Sequence, residues 1–378
     1  MVRWRSGTVT GIRRRWRGAV ELDVTVDGTT VRALAYPELV GVPEPGDAVL
    51  LNVGALAMGL GTGGYALVVA VPQRLPADPP GGDDRSGGHL VKARYTPLQA
   101  IVCGVDEEAS PYRQVLADAD DLAGMPVVTA DLHSALPAIV AGALADSPTL
   151  RIAYVMTDGG ALPAGFSRTL DGLAGTLAGT VTVGQCFGGD LEATTTHSGL
   201  LAARHVLHAD IAVVSQGPGN LGTGTRWGFS GVAVGEAVNA VATLGGRPVG
   251  ALRISDADPR ARHHGVSHHS VTAYGRVALA PADLVVPAEL PTTIAAEVAA
   301  ALAPLTAPTG RHRTVRVPTA GLTAALRDSP VPLRTMGRDL AGDHAYFLAC
   351  AAAGRHAAAL AAASGPAGDA GTEGDGVS

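Results

Sequence analysis

From about Tyr95 onward, short apolar runs alternate with longer stretches of helical character. QAIVCGV precedes PYRQVLADADDLAG, MPVVTADL precedes LPAIVAGALAD, and RIAYVMT precedes FSRTLDGLAGTL. TVTVGQ then leads to SGLLAARHVLH, DIAVVSQ to GFSGVAVGEAVNAVATLGG, and RPVGALRIS follows. Continuous apolar strands are buried on both faces, and helices between them place such strands in one parallel sheet covered on both sides. The pattern predicts an α/β fold with a doubly wound, mostly parallel, Rossmann-like sheet. DLVVP, TIAAEVAAALA, RTVRVP, GLTAALRD and a final alanine-rich helix extend or cap it.

The first 73 residues have a different rhythm. GTVTGI, AVELDVTV, TTVRALAY, AVLLNVG and YALVVAVP are short, Val- and Thr-rich, and separated by VDGT, VPEPGD and GLGTGG turns. Five such strands predict a small β-barrel, closed or partly closed. PADPPGGDDRSGG, residues 76–88, has almost nothing to bury and reads as a linker. The expected division is a barrel at 1–75, a linker at 76–92, an α/β domain with a helical C-terminal cap at 93–364, and a disordered tail at 365–378.

Composition excludes several classes. A net charge of −6 disfavours nucleic acid as a partner. The run Arg13-Arg14-Arg15-Trp16-Arg17 then reads as a solvated strand face, with a nucleic-acid contact as the alternative. Three well-separated cysteines, Cys103, Cys186 and Cys350, form no disulfide framework and suit a reducing compartment. MVRWRSGTVT carries no apolar signal core, and the late alanine stretch is broken by Gly354, Arg355 and His356. A cytoplasmic protein with no membrane partner is expected. Lys92 is the only lysine and follows no GxxxxG loop, which argues against Walker-type nucleotide hydrolysis and Schiff-base chemistry.

In a doubly wound sheet, ligands bind beyond the strand carboxyl ends. Four strands here run into elaborate loops at 156–163, 184–192, 215–225 and 255–269, which belong on one sheet edge. The third contains Gly217-Pro-Gly219-Asn-Leu-Gly222, formally GxGxxG, with Thr223 beside it. Its glycines and helix start suit a phosphate or carboxylate. No acid follows at ribose-binding distance, so the dinucleotide fingerprint is incomplete, and a glycine turn made for packing is the alternative. The fourth concentrates Asp256, Asp258, Arg260, Arg262, His263, His264, His268 and His269. On a helix, His264 and His268 would share one face and, with Asp256, hold a divalent metal. Asp158, Asp190 or Glu192 would add oxygen ligands. The alternatives are a hydrogen-bonded network that fixes the loop, or direct contact with substrate, for which arginines suit a carboxylate or phosphate. Cys186 reads as a small structural residue before a nucleophile. His205 and His208 read as packing residues on a helix starting near Ser198, and Ser134 and Ser198 as helix caps.

MTDGGALP (156–163), FGGDLEA (187–193), SQGPGNLGTGT (215–225), ISDADPRARHHGVSHH (254–269) and TMGRD (335–339) together resemble an uncharacterised bacterial family. It is a domain of unknown function found in actinobacteria and firmicutes, and the resemblance spans about residues 3–362. It implies that these loops are the family's hallmark and assigns no activity. The leading expectation is therefore a small-molecule site at the strand ends. Gly217, Gly219, Gly222 and Thr223 would hold one anionic group and Arg260 and Arg262 a second, with Asp158, Asp190, Asp256 and His268 as catalytic acid–base groups. The alternatives are a metal-assisted hydrolase, with His264, His268 and Asp256 on a divalent ion, and a non-catalytic sensor or assembly protein. A homo-oligomer is compatible with each.

Overall fold

The structure is a computed structural model that describes residues 2–61, 63–77 and 88–364. The first five strands, β1 (Trp4–Trp16), β2 (Ala19–Val26), β3 (Thr29–Ala35), β4 (Ala48–Asn52) and β5 (Ala66–Ala70), close into a barrel in the order β1-β2-β3-β5-β4. Two short helices, α1 (Pro37–Val40) and α2 (Gly54–Ala57), lie between its strands. Alternation fills the barrel: Val20, Leu22, Val24 and Val26 of β2 are buried with Ala33, Leu51 and Val68. The expected linker falls largely on 78–87 and the expected tail on 365–378, both outside the described residues. Leu90–Lys92 (β6) instead pairs antiparallel with Ala100–Val102 (β7).

The main body begins with α3 (Arg113–Leu116). Its sheet contains β8 (Pro126–Thr129), β9 (Ile152–Thr157), β10 (Gly179–Thr182), β11 (Leu191–Glu192), β12 (Ile211–Gln216) and β13 (Arg247–Ala251). After a two-residue ladder, β14 (Ile254–Ser255) with β15 (Gly265–Val266), the sheet ends with β16 (Asp283–Pro287) and β17 (Arg313–Val317). All eight strands are parallel, in the order β11-β10-β9-β12-β8-β13-β16-β17. A last hairpin, β18 (Arg334–Thr335) with β19 (Arg338–Asp339), stands apart.

Among the described residues the further α-helices are α4 (Leu136–Leu144), α5 (Arg168–Leu173), α6 (Thr196–His205), α7 (Ala233–Thr243), α8 (His268–Thr272), α9 (Thr292–Leu302), α10 (Leu322–Arg327) and α11 (His344–Ser364). Successive strand residues point to opposite faces, so Val128, Tyr154 and Val213 meet α4, α5, α10 and α11. Val127, Val155 and Val214 meet α6 and α7. A third cluster packs α7 and α9 over Leu284 and Val286.

This wiring creates a switch point. β12 lies between β9 and β8, yet its chain leaves to α7 on one face, while β8 leaves to α4 on the other. A crevice opens where neighbouring strands send their chains to opposite faces. The barrel docks near the other end of this edge. Trp16 donates from Nε1 to the Gly165 carbonyl at 2.7 Å, and Gly18 lies so close that a Cβ on it would stand 3.0 Å from Gly165 Cα.

With aromatics only 4% of the chain, helix packing relies on close approach between small residues. α11 crosses α4 with Gly354 and Gly142 at the contact. A Cβ on Gly354 would lie 1.9 Å from the Ile139 carbonyl oxygen, and one on Gly142 1.9 Å from that of Ala351. Gly354→Ala is therefore expected to lower stability by roughly 1–3 kcal/mol through overpacking, although alanine is the better helix former by about 1 kcal/mol. Denaturant unfolding checks this. An unchanged or raised midpoint would show that the two helices can part without cost.

Candidate functional site

The four loops singled out in the sequence all leave the carboxyl edge of the sheet, but they do not converge on one point. A cleft of about 410 Å³ opens at the switch point. Leu132, His133 and Ser134 reach it from the end of β8, and Pro218, Gly219, Asn220, Gly222 and Gly224 from the end of β12. Arg253, Arg260, Arg262, His263 and His269 come from the long segment after β13, and Arg334, Thr335 and Met336 from the late hairpin. Of the expected ligand-binding residues, Gly219, Gly222, Arg260 and Arg262 line it.

Charge organises this cleft. The Asp258 side chain is fully buried and meets three guanidiniums, those of Arg253 (3.2 Å), Arg260 (2.7 Å) and Arg338 (3.3 Å). Burial alone would raise its carboxyl. Hydrogen bonds and charge from Arg260, with the charge of Arg253, outweigh that and hold it well below the usual carboxylate range. Arg338 continues to the buried Asp343 at 2.8 Å, and Ser255 Oγ donates to the same carboxylate at 2.9 Å. Three arginines thus face two carboxylates. Arg262 and Arg334 are exposed on the cleft and, among the described residues, pair with no carboxylate.

The histidines divide. Arg260 starts a short turn, Ala261–His263, and Gly265, at φ +64°, leads into β15, so His264 lies outside α8 and does not share a helix face with His268. His264 instead places Nδ1 2.9 Å from Glu297, away from the cleft. His263, His268 and His269 cluster, with ring centroids 4.4–5.0 Å apart. Ser267 starts α8, accepting from the His269 amide at 3.2 Å, and its Oγ stands 2.7 Å from His263 Nδ1. Phe229 stacks on His269 with centroids 3.8 Å apart. Burial first, then neighbouring charge (Arg253 for His263, His269 for His268), pushes His263 down to about 3 and His268 down to about 4. Both imidazoles are neutral at neutral pH.

The other expected residues lie apart. Asp256 is exposed. Asp158 accepts from the Gln185 amide at 3.0 Å, and Asp190 joins the barrel, 2.6 Å from Arg17. Glu192 is buried against Lys92 at 3.2 Å. Gly217 serves packing: its Cβ would lie 2.4 Å from the Ala161 carbonyl oxygen, where the 156–163 loop abuts it. Asn220 already caps the turn ahead of α7, taking the Ser230 hydroxyl at 2.8 Å, and Thr223 bonds Thr225 at 3.1 Å. Cys186 is fully buried, where burial pushes its thiol up. The expected shared helix for His205 and His208 ends at His205, and His208 follows with φ +50°. Thr195, not Ser198, is the cap of α6, with Ser198 completing a capping box. Ser134 bonds Thr335 and Tyr346 instead of capping α4.

Two groups were missed by sequence reasoning, both just after β8. His133 is buried between Tyr154 OH (3.0 Å) and Ser167 Oγ (2.7 Å), and burial pushes it down to about 4. Asp131 is buried 3.6 Å from His269. The signal available was the polar pair in TADLH at the end of an otherwise apolar strand.

Fold and cleft define a parallel α/β protein with an appended small barrel and a polar, cationic crevice at its topological switch point. A family described as protein of unknown function (DUF3866) matches residues 32–354, and the chain belongs to it. No curated protein matches the chain. Among the described residues, no helix is long and apolar enough to cross a membrane.

Asp258 gives the site a measurable signature. Asp258→Asn is expected to cost about 3–5 kcal/mol, because it removes the anion from a buried ion pair and leaves Arg253 uncompensated. The native carboxyl titrates below its unfolded value of about 3.9. Its stabilisation is therefore present above that pH and fades as pH falls below it. Urea unfolding at several pH values should show a weaker acid dependence in the variant; parallel curves would mean that the carboxylate contributes no net stability.

Proposed function

We propose that the protein binds a small anionic molecule, bearing a phosphate or carboxylate, in the cleft at the ends of β8, β12 and β13. The observation that carries this is the pair of exposed guanidiniums, Arg262 and Arg334, that line the cleft and, among the described residues, have no carboxylate partner. A guanidinium presents a planar fork of donors suited to two oxygens of one anion. Arg253, Arg260 and Arg338 reinforce the positive field, since Asp258 and Asp343 balance only two of their three charges. Gly219 and Gly222 add an open wall in which no side chain blocks approach to the backbone. The sheet supports the site from below, as in other open α/β proteins whose ligands sit at a switch point. The free cysteines are compatible with a cytoplasmic setting.

Isothermal titration with inorganic phosphate, pyrophosphate and citrate tests this reading. The Arg262→Ala, Arg334→Ala double variant is expected to bind at least 10-fold more weakly, about 1.4 kcal/mol, and added salt should weaken the native protein's binding. Binding that is equal in the two proteins, or none to any of the three anions, would refute it.

A further inference from the structure

We infer that His263, His268 and His269 form a site for a divalent transition ion of the zinc and cobalt class, with Asp131 as the carboxylate beside it. Each imidazole offers one nitrogen, and these three atoms lie within 4.8 Å of one another. Tetrahedral zinc, with Zn–N of about 2.0–2.1 Å, holds its ligand nitrogens roughly 3.4 Å apart, so small side-chain rotations close the set around an ion.

A second observation points the same way. His268 Nε2, His269 Nδ1 and Asp131 Oδ2 are all buried, and among the described residues none has a hydrogen-bond partner. Asp131 and His269 are nine-tenths or more buried, and the two atoms stand 3.6 Å apart, too far for a hydrogen bond. Leaving one buried polar atom unpaired costs about 1–3 kcal/mol, and three in one place would be a concentrated defect unless a ligand satisfies them. A metal cation accepts lone pairs from both imidazole and carboxylate, so a single ion would satisfy all three atoms at once.

The surroundings resemble the supporting shell of a metal site. Ser267 Oγ, 2.7 Å from His263 Nδ1, fixes that ring and leaves Nε2 as its ligand atom. Phe229 stacked on His269 holds the second ring. His263 and His269 also line the cleft, so an ion there would face the space assigned above to the anion. The ligand set differs from the one that helical spacing selects, since His264 is turned toward Glu297 and Asp256 is exposed.

The test is metal uptake by the full chain, stripped with chelator and dialysed, with no anion added beyond buffer. One equivalent of Zn²⁺ should be retained, and Co²⁺ should give the intense visible bands of a low-coordinate site. His268→Ala should weaken uptake at least 10-fold and abolish those bands, and Asp131→Asn should weaken it less. His264→Ala should leave both unchanged. The His268→Gln variant, checked by circular dichroism, guards against loss of fold. No stoichiometric uptake by the native chain overturns the inference, as does uptake that survives in both His268 variants, which would place the ion on other histidines. Because uptake is read without the anion, failure here leaves the anion-binding reading standing, and the reverse also holds.

Discussion

A carboxylate with no access to water must be met by cations, and Asp258 meets that requirement with arginines from three separate places in the chain. Arg253 lies two residues past the end of β13, Arg260 two residues past Asp258, and Arg338 arrives from the β18–β19 hairpin. Satisfying one anion therefore folds the long segment after β13 back on itself and draws β18 and β19 over it. The same Arg338 reaches Asp343, at the start of α11, and Ser255 closes the circuit. The cleft wall is a by-product of this neutralisation, which leaves it with unbalanced positive charge.

The sheet determines where that wall stands. Placing β12 between β9 and β8 puts two exits of opposite direction next to each other, so the loops after β8 and β12 diverge and leave space between them. Glycines keep the space from being wasted on separation elsewhere. A Cβ on Gly160 would lie 2.2 Å from the Gly217 carbonyl oxygen, and one on Gly217 2.4 Å from that of Ala161, so the two loops press together beside the cleft. Part of the glycine-rich motif therefore shapes the site by packing, while Gly219 and Gly222 face it.

The central strands β8, β9, β12 and β16 were legible because they are apolar runs, and most of the barrel because its strands carry Val and Thr between turn signals. The apolar run QAIVCGV misled, since Ala100–Val102 pairs antiparallel with β6 outside the main sheet. The edge carrying the polar loops followed from the same reasoning. What periodicity cannot supply is the order of strands in space. Asp158 and Asp190 stand on the same edge as the cleft, but on the β9 and β10 side, where they serve loop and barrel contacts. Local regularity misdirects in a second way. The spacing of His264 and His268 suggests one helical face only if the helix begins before Gly265, and the left-handed backbone there prevents it. Asp256 and Asp258 look equivalent in sequence, yet one is exposed and the other is the most heavily paired acid of the site. His133 and Asp131 were hidden because they end a short, plain connection that carries no motif.

The alanine-rich helix links these separate features. Its amino end carries Asp343 into the charge network, while Gly354, about 16 Å further along at 1.5 Å per residue, is pressed against the Ile139 carbonyl of α4. α4 itself continues directly from the His133–Ala135 turn that lines the cleft. Two walls of the cleft, the one after β8 and the one held by Arg338, thus adjoin helices that come into backbone contact at Gly142 and Gly354. Such a joint has little slack, because no rotamer change can take up a displacement. The positions of His133 on one side and Arg338 on the other are therefore coupled through this close packing and through Ser134, whose hydroxyl bonds both Thr335 and Tyr346, so a composition poor in aromatics still holds the charged cleft in register.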